Sequence, residues 1–253
     1  MIPLFFSKII KPIYNTFFKK DKVTYWINQF LLSQEVSVVQ IGSNDGKTGD
    51  PLFKLIKKNK HWRSLFVEPV PFIFNKLKQN YLNETRFKFE NSAVNDGNEQ
   101  NFYWVDPVAQ ESIKNLPIWY NQLGSFNKEH ILKHLDGQLE PFIKTSKIDG
   151  IKLTQLFDKY LLNKIELLHV DTEGYDWKII SQLDFSKLIP SIILFEHVHL
   201  KKEENLQALK FLLSNYHIFS FKGDYLCLKR DLNQKEKTVI NKLRKIKNEV
   251  NIN

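Results

Sequence analysis

Apolar positions along this chain follow two alternating rhythms. Short apolar-rich runs at 36–41, 64–67, 87–90, 165–170 and 191–195 read as buried strands. Between them, apolar residues recur at helical spacing. Tyr25, Trp26, Phe30 and Leu31 place a helix within 22–35. Asp50 as cap and Pro51 as first helical residue open another, which carries Leu52, Phe53, Leu55 and Ile56. Ile73, Phe74, Leu77 and Tyr81 mark a helix over about 71–82. Further helices are expected over 153–162, over the segment bearing Trp177, Ile179, Ile180 and Leu183, and over 206–213. Residues 218–221 and 225–228 flank Gly223-Asp224 and read as a closing antiparallel pair. Strand–helix alternation of this kind predicts an α/β fold: a mostly parallel sheet with helices on both faces and an antiparallel C-terminal strand.

Three stretches depart from the rhythm. Asn95-Asp96-Gly97-Asn98 predicts a hairpin turn leading into 101–105. Residues 106–150 read as an insertion, punctuated by Pro117, Gly124, Gly137 and Pro141, with one helix over 127–135 capped by Asn127. The tail from Asp231 is charged, yet Val239, Leu243, Ile246 and Val250 form a stripe, so a short basic helix is expected there as a solvated satellite. The organisation is therefore an N-terminal helical extension over 1–35, the main domain over 36–230 with its insertion, and a basic helix or tail over 231–253. Phe5, Phe6, Ile9, Ile10, Ile13 and Phe17 recur near helical spacing with Lys8 and Lys11 between them. That run is too short to span a bilayer and lacks a signal-peptide core. It is expected to pack on its own domain; the competing expectation is peripheral membrane contact through residues 1–20.

Composition changes this picture little. The 253 residues, 42% hydrophobic and 13% aromatic, suffice for a sizeable core. With 37 basic against 28 acidic residues the formal charge is +9, but no basic block is long or interleaved with regular aromatics. Surface lysines account for the charge better than a nucleic-acid partner does. A single cysteine, Cys227, excludes a disulfide within the chain and a cysteine metal cluster, and fits a cytoplasmic setting.

Candidate chemistry stands at the carboxyl ends of the strands, where open α/β sheets bind ligands. The first strand ends in Gly42-Ser43-Asn44-Asp45-Gly46, a glycine turn suited to an adenosine cofactor. The second ends in Glu68-Pro69, 22 residues beyond Gly46, where a carboxylate can accept both ribose hydroxyls. The third ends in Asn91-Ser92-Ala93, the fourth in Asp171-Thr172-Glu173-Gly174 and the fifth in Glu196-His197. Two carboxylates at the end of a buried strand suit acid–base or metal work, unless Asp171 or Glu173 merely caps the following helix.

In order, VVQIGSNDG at 38–46, DPL at 50–52, FVEPVPFIFNKL at 66–77, NSAV at 91–94, SFNKEHILKH at 125–134, IELLHVDTEGYDWKII at 165–180 and IILFEH at 192–197 resemble the FkbM family of S-adenosylmethionine-dependent methyltransferases. The resemblance implies a Rossmann-like class I methyltransferase domain acting on an oxygen of a sugar, glycan or other small molecule. Carried over, it makes Gly42 to Gly46 the cofactor loop and Glu68 the ribose ligand. It sets Ser92 and Ala93 near the adenine, Asp171 to Gly174 along the reaction centre, and Glu196 opposite. Many methyltransferases have an acid two residues before the first glycine; here Gln40 stands there and supplies no charge. Asp171 is the first choice of general base and His197 the second. The alternative is Mg2+ or another divalent cation among Asp171, Glu173 and Glu196. Two rival activities keep the α/β frame. One is RNA ribose methylation; the other is a dehydrogenase built on Gly42-x-x-x-Gly46 and Tyr160-x-x-x-Lys164.

Overall fold

The computed structural model of the chain describes residues 22–31 and 35–252. The expected amphipathic segment at the N-terminus lies outside these residues. The strands are β1 (Val36–Ile41), β2 (Trp62–Val67), β3 (Phe87–Glu90), β4 (Ala93–Val94), β5 (Gln100–Val105), β6 (Ile143–Ile148), β7 (Gly150–Ile151), β8 (Leu167–Val170), β9 (Ile192–Glu196), β10 (Tyr216–Phe221) and β11 (Asp224–Lys229). The helices are α1 (Val23–Phe30), α2 (Phe53–Lys58), α3 (Pro71–Asn80), α4 (Ala109–Ser112), α5 (Lys128–Leu132), α6 (Leu153–Lys159), α7 (Asp176–Ile180), α8 (Lys202–Leu212) and α9 (Gln234–Arg244).

One seven-stranded sheet runs in the order β10-β11-β9-β8-β1-β2-β3. Strands β3, β2, β1, β8 and β9 are parallel, and β11 and β10 close it antiparallel. This is the mostly parallel α/β sheet with an antiparallel C-terminal edge that the strand–helix alternation predicts. Alternation along β1 divides the core. Val36 and Val38 face one apolar cluster with α1, α2, α3 and α9, whereas Val39 and Ile41 face another with α6, α7 and α8. Both faces are thus covered, which is why apolar residues stand at both parities of the central strands. Cys227 is buried in the second cluster.

Several local expectations need correction. Pro51 does not begin α2. The helix starts at Phe53, and Asp50 Oδ1 instead accepts from Leu52 N at 2.7 Å, fixing the turn before it. The turn at 95–98 forms, with Gly97 N donating to Asn95 Oδ1 at 2.8 Å, but it joins no hairpin. β4 pairs with β7 and β5 with β6, because Ile143–Ile148 offers β5 a full six-residue antiparallel register. Much of the insertion is therefore ordered by that ribbon. Asn127 does cap α5, accepting from Glu129 N, but the helix ends at Leu132 because the chain turns extended at His134, and Leu135 and Asp136 then take φ of 52° and 51°. The tail is not a solvated satellite. Val239, Ile240 and Leu243 of α9 are buried with α1 in the sheet's first cluster, since Ile240 widens the stripe into a packing face. Val250 N then donates to Ile218 O, extending the edge beside β10. Among the described residues no helix is long and apolar enough to cross a membrane.

Candidate functional site

A cleft opens beyond the carboxyl ends of β1, β2 and β8, where open α/β sheets bind ligands. Gln40, Gly42, Ser43, Asn44, Glu68, Pro69, Ser92, Ala93, Asp171 and Glu173 all line it. Asp45, Gly46, Glu196 and His197 do not. Asp45 accepts from Lys47 N, Thr48 N and Thr48 Oγ1, closing the turn. Gly46 sits against α3, where Tyr81 Oη donates to its carbonyl at 2.9 Å.

The glycine turn is braced from behind. Gly42 N and Ser43 N donate to Val67 O, and Asn44 N donates to Glu68 Oε2 at 2.9 Å. Ser43 Oγ donates to Gln40 O and accepts from Val67 N. These groups tie β1 to β2, so the turn contributes shape more than free donors. Gly42 takes φ 76°, and a Cβ there would run into the Asp171 carbonyl. The close approach that needs a glycine is thus to the neighbouring strand end.

Glu68 is 5% exposed. Its Oε1 accepts from Val70 N and its Oε2 from Asn44 N, and each oxygen keeps a lone pair. Burial pushes its carboxyl up to about 7, against those two hydrogen bonds. Five buried polar atoms on the cleft wall have no partner: Gln40 Oε1, Asp50 Oδ2, Ser92 Oγ, His169 Nδ1 and Thr172 Oγ1. Such atoms each cost about 1–3 kcal/mol when left unpaired, so their convergence marks a place for a polar ligand. Gln40 and His169 are register partners on β1 and β8, and burial lowers His169 to about 4, keeping it neutral.

Sequence reasoning missed Asp50 as a site residue. Burial raises its carboxyl to about 6, while the backbone N–H of Leu52 and the Gln40 side chain pull it down. The charge absent at position 40 is therefore supplied next to it. The only signal was the Asp-Pro pair, which reads equally well as a helix start. Gln122, Gly124 and Phe126 of the insertion also form a wall of the cleft; Gln122 Nε2 donates to Thr48 O at 2.6 Å and Phe126 packs on Tyr175.

Beyond Gly42 stands a group of acids. Asp171 N donates to Ile41 O, and burial raises the Asp171 carboxyl well above its ordinary value, helped by the charges of Asp176, Glu173, Asp224 and Asp50. Glu196 rises to about 9 for the same reasons, burial first. Asp176, 0% exposed, rises to about 7 through burial. Neither Asp171 nor Glu173 caps α7; Asp176 Oδ2 accepts from Gly174 N instead. Carboxylate oxygens of Asp171, Glu173 and Glu196 lie within 4.8 Å of one another. His197 does not join them. Its ring stacks on Tyr225 at 3.9 Å, and burial lowers its pKa. His199 comes there instead, 3.3 Å from Glu173 Oε2 and 3.8 Å from Glu196 Oε2. The Tyr160 and Lys164 of the dehydrogenase rival are bound elsewhere, to Glu90 at 2.7 Å and Glu166 at 2.6 Å.

A family model, the methyltransferase FkbM domain, matches residues 40–222, more than half of the chain. No curated protein matches it. Solved structures that it resembles include a fibrillarin pre-rRNA processing protein from Methanococcus jannaschii (11% identity, 78% of this chain, 66% of that chain, TM-score 0.40). A precorrin-6y C5,15-methyltransferase from Geobacter metallireducens (11%, 81%, 85%, 0.42) and a ribosomal protein L11 methylase from Lactobacillus delbrueckii subsp. bulgaricus (12%, 81%, 76%, 0.36) are similar to the same degree. The chain spans just under two thirds of the length of the fibrillarin relative.

Proposed function

The chain belongs to the FkbM methyltransferase family, and from that premise we propose that it methylates a hydroxyl oxygen of a sugar, glycan or other small molecule. It is a methyltransferase dependent on S-adenosylmethionine. That cofactor, when bound, supplies a methyl group activated by a positive sulfonium. The lone pairs left on Glu68 suit a ribose diol, and Ser92, Gln40 and Asp50 offer unpaired polar atoms on the same wall.

The observation that carries the oxygen-directed reading is Asp171. A neutral hydroxyl is a weak nucleophile that has to lose its proton as the new bond forms, whereas a neutral amine is nucleophilic enough to attack before losing one. Asp171 is a carboxylate on the cleft wall whose affinity for a proton is raised by burial and by neighbouring acids, which is what a general base needs. Glu196 and Glu173 are its partners in the acid group, and a divalent cation among these three carboxylates is the other way to lower the hydroxyl's pKa. Phe102, Phe126 and Tyr175 give the cleft aromatic walls, a combination with carboxylates that fits a ring bearing hydroxyls.

The test is methyl transfer from labelled cofactor to glycans, lipid-linked sugars and polyketide-like alcohols, with Mg2+ or with EDTA. Asp171→Asn is expected to lower turnover by about 10²–10⁴-fold with cofactor affinity nearly unchanged. Retained turnover, or a product methylated on nitrogen or carbon, overturns the proposal.

A further inference from the structure

Two imidazoles converge on one carboxylate oxygen. His130 Nε2 stands 3.1 Å from Glu173 Oε2, and His199 Nε2 stands 3.3 Å from it. The rings lie 4.9 Å apart at 88° to each other. The three residues come from separate places: α5 in the insertion, the turn after β8, and the segment after β9. His130 and Glu173 are largely enclosed, with side chains 12% and 23% exposed.

The spacing is that of a ligand set. A tetrahedral ion with bonds of about 2.0–2.2 Å holds neighbouring ligand atoms about 3.4 Å apart. Two of the three edges already have that length. The third is within 4.8 Å, so it closes by at most about 1.4 Å, a side-chain rotation. The backbone also aims Glu173 at this point. Glu173 takes φ 54°, a region that non-glycine residues avoid, and Gly174 follows at φ 97° with room for a Cβ only 3.2 Å from His199 O. Glu196 Oε2, buried and without a partner, lies 3.8 Å from His199 Nε2 beside the remaining position.

We propose that His130, Glu173 and His199 bind one divalent transition-metal ion of the zinc class, with its open position toward Glu196 and the cleft. Two imidazoles and one carboxylate favour borderline metals over Mg2+, which demands oxygen ligands. This set shares Glu173 with the three-carboxylate set, so the two are alternatives for one ion. Bound there, the ion fastens the insertion to the strand ends. Its use as a Lewis acid on the acceptor hydroxyl rests on the methyl-transfer reading; the binding of the ion does not.

The test is calorimetric titration of Zn2+ into the EDTA-treated, dialysed full chain, with a Co2+ absorption spectrum of the same protein. One equivalent is expected, with the intense visible bands of a four-coordinate Co2+ site. His130→Ala and His199→Ala should each weaken Zn2+ by at least about 100-fold, the exposed His61→Ala should not, and cofactor affinity should hold in all three. The Co2+ spectrum needs no variant, so a misfolded variant does not rescue the idea. Absence of stoichiometric Zn2+ binding, a six-coordinate Co2+ spectrum, or affinity indifferent to both histidines overturns it. Mg2+ bound equally well without either histidine would assign the ion to the carboxylates alone.

Discussion

Replacing Gly42 by alanine probes the junction on which the cleft is built. Gly137→Ala is the reference, because Gly137 has the same φ of 76° and open space around a Cβ. Its cost is the left-handed backbone alone, about 1–2 kcal/mol. At Gly42 a steric cost is added. The methyl group would sit 2.8 Å from the Asp171 carbonyl carbon and closer still to its oxygen, and neither is a side-chain atom that can swing away. The turn after β1 must draw back from β8, which strains the 3.0 Å bond from Asp171 N to Ile41 O. Overpacking costs about 1–3 kcal/mol and an unmade buried hydrogen bond about 1–3 kcal/mol more. Together these give about 3–8 kcal/mol, a large share of the stability of an ordinary domain. A chain of this length loses about 2–4 °C in Tm per kcal/mol. Gly137→Ala should thus lower Tm by about 2–8 °C, and Gly42→Ala by about 6–32 °C, the upper part of which leaves no folded protein. Gly46→Ala should fall between, because its Cβ would meet Leu77 Cδ1 at 2.5 Å and Tyr81 Cε2 at 2.6 Å, side-chain atoms that yield. Urea unfolding and thermal melts rank the three. If Gly42→Ala is no worse than Gly137→Ala, the tight approach of the two strand ends is wrong.

Glu68 ties stability to pH. Its carboxyl stands at about 7 when folded against an ordinary 4.5, so between those values the folded chain keeps a proton that the unfolded chain releases. Its contribution is therefore present below pH 4.5 and is lost as pH rises through 7. Glu68→Gln does not titrate, and its stability relative to the parent should climb by a few kcal/mol from pH 4.5 to 7.5; the fixed loss of one accepted N–H bond cancels in that comparison. A difference flat with pH in paired denaturation curves refutes it. Leu243→Ala in α9 should cost about 2–5 kcal/mol, as for any fully buried leucine. A loss under about 0.5 kcal/mol in urea unfolding would return α9 to the solvent.

The frame of this molecule was legible because period and burial coincide. Val36 to Ile41 carries apolar residues at both parities since Val38 and Val39 face opposite covered sides of the sheet, and the strand-end residues follow from that frame. What escaped was set by long-range packing. Asp50 reads as a helix cap from its neighbours alone; only the folding of 48–51 back over Gln40 turns it toward the cleft. His197 and His199 are indistinguishable in a strand-end sequence, and the choice is made by Tyr225 of β11, which stacks on the first. His130 lies 43 residues from Glu173, and no local pattern links them. The fate of α9 turned on Ile240, one residue outside the stripe that reads as helical period.

Titration of S-adenosylmethionine into the full chain, beside Glu68→Ala, reads cofactor binding at the ends of β1 and β2 itself. One equivalent should bind well below millimolar concentration, with a loss of at least about 10-fold in the variant, the worth of one good hydrogen bond to a charged group. No heat of binding at millimolar ligand, or equal affinity in Glu68→Ala, would contradict it.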